Sequence, residues 1–324
     1  MKKYNLSKDY QFDIDVTNYT SYAGKLALPY VTAAVKSPDT IANGYVRVID
    51  GLNKSGRITN IGITNPVQAH DCAFTDGSNT SLTENVVTLT DMKVNEQICR
   101  GTVFPTWIGE NMDRNGNLPQ TFADFLFATI AAKAGSHVEN MIWKGSSDPA
   151  LVGFLSDDGS HDDTGIEASI LKDFKEVDFS GVITSGNVIG FLNDVLDKAI
   201  ADTNILNAPG FGFYMNRKTF VLYQQALASA TTFQALGAAA NFDNLTFMGY
   251  PIYVCPGMFD NTIVATYPEN LVIGTNLLTD YTEATVIPTY QFDGSDHIRV
   301  VMNFAMGCGV AVNDDGVYGT HLHA

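Results

Sequence analysis

Apolar side chains between residues 122 and 142 recur every three or four positions. Phe122, Phe125, Leu126, Ile130, Ala134, His137, Val138, Met141 and Ile142 therefore share one face of a helix. Asn117 is placed to cap its start, Pro119 suits its first turn and Gly145 follows its end. The spacing predicts one helix of about 25 residues and about 37 Å at 1.5 Å per residue. A rod of that length cannot cover its own stripe, so the chain must supply a surface for it to lie on.

A second stripe, Val188, Ile189, Leu192, Val195, Leu196, Ala199 and Ile200, follows Ser185 as a cap and predicts a helix over 185–201 packed on a sheet. Residues 211–215 read as a strand running into Asn216, the natural cap of a helix with Phe220, Tyr223 and Leu227 on one side. Short strands at 245–248, 252–255, 262–266 and 271–273, divided by Gly, Pro or Asn, complete a mixed α/β lobe. Residues 284–292 and 297–304 flank Asp293-Gly294-Ser295-Asp296 and predict a long antiparallel hairpin. Upstream, β-like runs at 45–49, 57–63, 86–90 and 98–103 are broken by turn formers such as Asp76-Gly77-Ser78-Asn79. The polar stretches between them offer little to a core, so they suggest a long ribbon that needs outside support. Residues 1–44 show no sustained period, contain Pro29 and Pro38, and read as an extended arm.

Only 17% of the 324 residues are charged, against about 25% in ordinary soluble proteins, while 45% are apolar. A long chain so poor in charge is expected to turn much of its surface toward other protein. The net charge of -16, from 19 basic and 35 acidic side chains, disfavours passive attraction to nucleic acid or anionic lipid. Residues 1–60 are the exception with 8 basic and 5 acidic side chains, whereas 219–324 hold a single cation, Arg299. No apolar run is long enough for a bilayer, and Met1-Lys2-Lys3 is followed by no apolar signal region, so a soluble protein made in cytoplasm is expected. Cys72, Cys99, Cys255 and Cys308 lack CxxC spacing and read as small buried apolar residues in a reducing compartment.

The order of arm, ribbon, long helix, α/β lobe and late hairpin resembles the major capsid proteins of tailed bacteriophages, the Hong Kong ninety-seven fold. Gly212-Phe213-Tyr214-Met215-Asn216-Arg217-Lys218-Thr219-Phe220 is similar to that family's strand-to-helix junction, and Asn244-Leu245-Thr246-Phe247-Met248-Gly249-Tyr250-Pro251-Ile252 to its following hairpin. Residues 269–280 and Met306-Gly307-Cys308-Gly309-Val310-Ala311-Val312 are similar to later segments. The resemblance implies an α+β chain divided into an N-terminal arm (1–44), an extended β loop (45–112), a peripheral domain with a spine helix and long hairpin (113–178 and 284–324) and an axial α/β domain (179–283). It also implies self-assembly as hexamers and pentamers into an icosahedral virion shell around dsDNA, without sequence-specific DNA binding or membrane contact. A portal and a separate scaffolding or decoration protein are the further partners implied. No motif identifies a crosslinking pair, and Lys93 is not assigned to one.

Chemistry-bearing clusters are few. Asp157, Asp158, Asp162 and Asp163, with His161 among them, form an oxygen-rich stretch of the kind that can hold a divalent cation, but without the alternating ligands and distal Glu of an EF-hand. A solvated acidic loop is the preferred reading, with no metal assigned. His321 and His323 on the tail read as incidental, and His137 as a hydrogen-bonded interior or interface residue. Residues 210–213 (GFGF) lack the remaining marks of a dinucleotide site and read as a turn. No Walker loop, HExxH or GxSxG occurs. The expectation is a non-enzymatic protein without a cofactor, with two competing readings: an encapsulin-like compartment, and a metal-dependent hydrolase using residues 157–163.

Overall fold

The computed structural model describes residues 20–23, 38–63, 70, 72, 80–99, 102, 122–156, 170–202, 205–229, 246–276, 283–289, 292 and 294–321. The first elements are β1 (Thr20–Ala23), the short helix α1 (Asp39–Ala42), β2 (Arg47–Ile49), β3 (Ser55–Ile63), β4 (Thr80–Thr88) and β5 (Thr90–Cys99). Helix α2 (Phe122–Lys144) follows, then the small strands β6 (Ser146–Ser147) and β7 (Ala150–Leu151), β8 (Lys175–Asp178) and helix α3 (Val188–Asp202). The remainder is β9 (Gly212–Met215), α4 (Arg217–Ser229), β10 (Thr246–Phe247), β11 (Tyr250–Val254), β12 (Thr262–Thr266), β13 (Leu271–Thr275), β14 (Glu283–Pro288), β15 (His297–Val310) and β16 (Val317–Thr320).

Two six-stranded sheets carry most of these strands, and β3–β4 and β6–β7 form separate two-stranded pairs. The first is organised by β15, a 14-residue strand. Strand β14 pairs with Ile298 to Asn303, β5 with His297 to Met306, and β13, which continues in parallel to β2, with Met306 to Val310. Strand β5 crosses a stretch that reads from sequence as polar linker. Met92, Val94 and Ile98 alternate inward while Lys93, Asn95 and Gln97 point away, and the backbone pairing to β15 supplies the rest. Strand β13 joins this sheet rather than the α/β lobe, because Leu271 to Thr275 match Val310 to Met306 residue for residue.

The second sheet runs β10-β11-β9-β12-β16-β8. Every residue of β9, β12 and β16 is buried. Alternation explains this: Phe213, Met215, Ile263, Ala265 and Val317 face a core built with α3 and α4, while Tyr214, Val264 and Tyr318 face the core of the first sheet. The sheet is thus a shared wall, which is why its strands read as continuous apolar runs.

Helix α2 spans 23 residues, about 34 Å. Ile130, Ala131, Val138, Met141, Ile142 and Trp143 are buried on it, whereas His137, read from sequence as an interior or interface residue, is exposed on the subunit and so is not interior. Gly145 ends it at φ +71°, and Phe154 and Leu155 return to donate their N–H groups to the carbonyls of Ile142 and Trp143, both at 2.8 Å. Asn117 and Pro119 lie outside the described residues. Helix α3 begins at Val188, not Ser185. The Asn187 amide turns back to the Thr184 N–H (2.6 Å) and the Val182 carbonyl (2.9 Å), which closes 184–187 as a turn. Asn216 caps α4 as expected, its Oδ1 accepting from the Thr219 N–H at 2.8 Å. In the β10–β11 hairpin, Met248 and Gly249 both have positive φ (50° and 88°), the I′ turn that a two-residue connection favours.

Candidate functional site

Strands β3 and β4 pair only with each other, from Ser55 opposite Thr88 to Ile63 opposite Thr80. Over nine residues the pair extends about 30 Å. Residues directly opposite share a face, so Arg57, Thr59 and Ile61 lie beside Val86, Glu84 and Leu82. This outer face exposes Ile61 (59%) and Leu82 (65%) as an opposed apolar pair and Val86 (55%) beside Arg57, with the polar Thr59–Glu84 pair between them. The Arg57–Glu84 ion pair at 3.3 Å is exposed and adds little. The opposite face is anchored to the body near its root, where Val87 is buried and the Asn85 amide donates to the carbonyls of Val310 and Ala311.

A second cluster lies where residues 38–46 meet α2. The Glu139 carboxylate is buried and accepts hydrogen bonds from the Thr40 N–H (3.1 Å), the Thr40 hydroxyl (2.6 Å) and the Gly257 N–H (3.4 Å). Trp143 Nε1 donates to the Thr40 oxygen at 2.9 Å. Burial raises the Glu139 pKa above its ordinary value. The Thr40 and Gly257 bonds work in the other direction, and Asp39 nearby adds to the rise. Burial likewise pushes the Cys255 thiol well up. Five residues along, the Tyr214 hydroxyl donates to the Tyr45 carbonyl at 2.8 Å, and Tyr253 packs against both rings at 4.7 and 4.9 Å. Residues 38–46 are therefore bound into the body at both ends. A cavity of about 360 Å³ bounded by Pro38, Asp39, Gly135, Asn140 and Pro256 opens beside Glu139.

The sequence-derived site residues divide as follows. Asp157, Asp158, His161, Asp162, Asp163 and His323 lie outside the described residues. His321 uses Nδ1 to contact the Phe179 carbonyl at 3.0 Å, a structural role. Cys255 and Cys308 are buried as expected, but Cys72 is exposed and Cys99 only half-buried at the end of β5, so the reading of all four as buried is corrected. The GFGF stretch is a turn at Gly210 and strand from Gly212. Among the described residues no three His, Cys, Asp or Glu converge as a metal site, and no helix is long and apolar enough to cross a membrane. Glu139 was missed because helical spacing puts it off the apolar stripe. Its place at the i+4 position from Gly135 and i−4 from Trp143 was the available signal.

No protein-family model matches the chain, and no curated protein matches it. Solved structures do. A chain of the satellite phage P4 procapsid, which includes size determination (Sid) protein, aligns with TM-score 0.57 at 13% identity, over 90% of this chain and 98% of its own. The capsid of the native GTA particle aligns with TM-score 0.54 at 15% identity, over 89% and 90%. The capsid of Myoviridae phage XM1 aligns with TM-score 0.53 at 10% identity, over 87% and 92%. At such identities the likeness is one of fold: this chain has the α+β fold of tailed-phage major capsid proteins.

Proposed function

We propose that the chain is a major capsid protein that self-assembles as hexamers and pentamers into an icosahedral head around dsDNA. The observation that carries this is the exposure of Ile61, Leu82 and Val86 on one face of a ribbon whose strands pair only with each other, in a fold shared with capsid chains. Apolar side chains gathered with an ion pair on one exposed ribbon face suit a contact with other protein, and a second copy of the chain can supply it at every position of a closed shell.

In this reading residues 1–44 are the arm, 45–112 the extended loop, 113–178 and 284–324 the peripheral domain around α2, and 179–283 the axial domain. Strands β8, β13 and β16 cross between the last two, since β13 pairs in the first sheet and β8 and β16 in the second. The protein belongs to the virion after synthesis in the host cytoplasm, performs no catalysis, and works with a portal and a scaffolding or decoration protein. The acidic body suits a container, because a basic lining would hold the duplex at each phosphate.

Negative-stain microscopy and sedimentation of the purified chain test the proposal. Shells or ring-shaped capsomers are expected, and the double variant Ile61→Asp, Leu82→Asp is expected to stay folded by circular dichroism yet remain as subunits. A parent chain that stays monomeric at high concentration overturns the reading. Shells that carry a packaged enzyme in place of DNA overturn the head assignment.

A further inference from the structure

Residues 38–44 meet the body through one short helix. Helix α1 has four residues and no side-chain cap, and Thr40 and Ile41 are its buried residues. Its C-terminus closes through two backbone bonds, Gly44 N–H to the Ile41 carbonyl (3.0 Å) and Tyr45 N–H to the Thr40 carbonyl (3.1 Å), about a Gly44 at φ +70° with open space beside it. A single turn of helix is not stable alone in water, so α1 depends on being docked. We propose that residues 38–44 are a clasp closed by a proton on Glu139, and that loss of the proton releases and unwinds them about Gly44 while the rest of the subunit stays folded.

Beyond Gly44 the chain is fixed. The Tyr45 carbonyl receives Tyr214, Val46 is buried and Arg47–Ile49 pairs with β13. The seat under α1 is fixed as well. A Cβ at Gly257 would come within 2.2 Å of the Glu139 carbonyl oxygen, so the turn at 255–257 lies directly on α2, and the Cys255 N–H is bonded to the Met215 carbonyl at 2.9 Å. Glu139 stands between clasp and seat. Two of its three donors, the Thr40 N–H and hydroxyl, belong to the clasp, and the third, the Gly257 N–H, belongs to the seat. Pro38 and Asp39 form one wall of the cavity of about 360 Å³, with Ser136, Asn140 and Pro256 opposite. Departure of the clasp removes that wall and brings water to the carboxylate.

Among the described residues no cation faces Glu139. Asp39 approaches from α1 and Cys255 from the turn, with Tyr45 and Tyr214 next to Cys255. On α2 itself Lys133 and His137 line the groove toward β5, and Lys144 lies over Phe259 at 5.2 Å. Burial, with Asp39 adding to it, therefore raises the Glu139 pKa in the closed clasp against the pull of its hydrogen bonds, whereas a released and hydrated carboxylate returns toward 4.5. The closed form binds the proton more tightly than the open form. Closure is thus fully favoured below 4.5 and weakens as pH rises through the closed value, by about tenfold in the closed-to-open ratio for each further pH unit. Burial of Ile41 sets how far above that value the clasp holds.

This inference rests on the capsid reading only for its use: seven released residues add about 24 Å to the reach of the arm that precedes them. The clasp itself belongs to the isolated subunit, so its failure is distinguishable from failure of that reading. Trp143 is the reporter, because it is fully buried and its Nε1 donates to Thr40. In the dilute full-length chain, Trp107→Phe leaves Trp143 as the single tryptophan, and its quenching by acrylamide is followed from mild acid to mild alkali alongside circular dichroism. Quenching is expected to rise about threefold with pH at constant circular dichroism. Glu139→Gln is expected to give a flat profile, and Thr40→Val to open at lower pH than the parent. Hydrogen exchange on the unaltered chain reads the same event without a variant: the amides of 41–45 are expected to lose protection as pH rises while those of α3 keep theirs. Trp143 shielding in the parent that is constant with pH would overturn the clasp. So would a Glu139→Gln profile that follows the parent, or joint loss of protection in 41–45 and α3.

Discussion

At position 139 a carboxylate occupies the inner face of α2 beside Ile142 and Trp143, held by three donors and by no cation among the described residues. Its raised pKa means that the folded chain binds the proton more tightly than the unfolded chain does. The stability this contributes is complete below the ordinary glutamate value of 4.5 and is lost as pH rises through the folded value. Glu139→Gln removes that titration and leaves one acceptor for three donors, with a cost on the order of 2 kcal/mol. Thermal melts from mild acid to neutral pH should show the parent losing stability as pH rises while the variant changes less, so that the gap between them narrows. A gap that widens with pH would contradict the raised value, because it would mean that the Thr40 and Gly257 donors outweigh burial and hold the Glu139 carboxyl below its ordinary range. Residue-level features were legible where their partners are local: Asn216 caps the turn that follows it. Glu139 was not, because its donors come from residues 99 and 118 positions away, and hydropathy spacing chose His137 in its place.

Elements whose apolar period is complete within themselves were the readable ones. The stripe of α2, the spacing of α3 and the β14–β15 hairpin each show a face that must be buried. In α3, Leu192 is fully buried among the side chains that meet the second sheet, with Val188 and Val195 on the same face. Leu192→Asp places a carboxylate there without a partner and should cost more than about 4 kcal/mol, enough to prevent folding. A soluble variant with native circular dichroism and a cooperative melt would contradict that placement. Elements that owe their state to a neighbour were harder to read. Strand β5 shows three inward apolar residues among polar ones and becomes a strand because β15 offers it a ten-residue edge, His297 to Met306 opposite Cys99 to Thr90. Strand β13 carries no mark of which sheet it joins, since its five residues are buried on both faces.

Across the whole molecule, the sheet of β9, β12 and β16 makes one wall serve two cores, so the chain has no independent half on which an assembly arm can be hung. Residues 38–46 are instead bound into the body, where Thr40 satisfies Glu139 and the Tyr45 carbonyl receives Tyr214, and β1 is held by its pairing with β14. From sequence this segment reads as the last part of the arm, because Pro38 and Asn43-Gly44 interrupt any period. Its burial depends on α2 and on the turn at 255–257, both distant in the chain. Two truncations therefore separate the roles. Removal of residues 1–37 keeps the buried contacts of Thr40, Ile41 and Val46 but deletes β1, whose four residues pair with the outer edge of β14, so it should lower the melting temperature by less than removal of 1–44 does and reduce shell formation. Removal of 1–44 deletes Thr40 and Ile41 and leaves Glu139 buried with the Gly257 N–H as its remaining donor. That should cost on the order of 3 kcal/mol in addition to the assembly defect. Calorimetry on the two truncated chains, with sedimentation to score assembly, measures both quantities. Equal melting temperatures for the two would show that residues 38–44 act only between subunits.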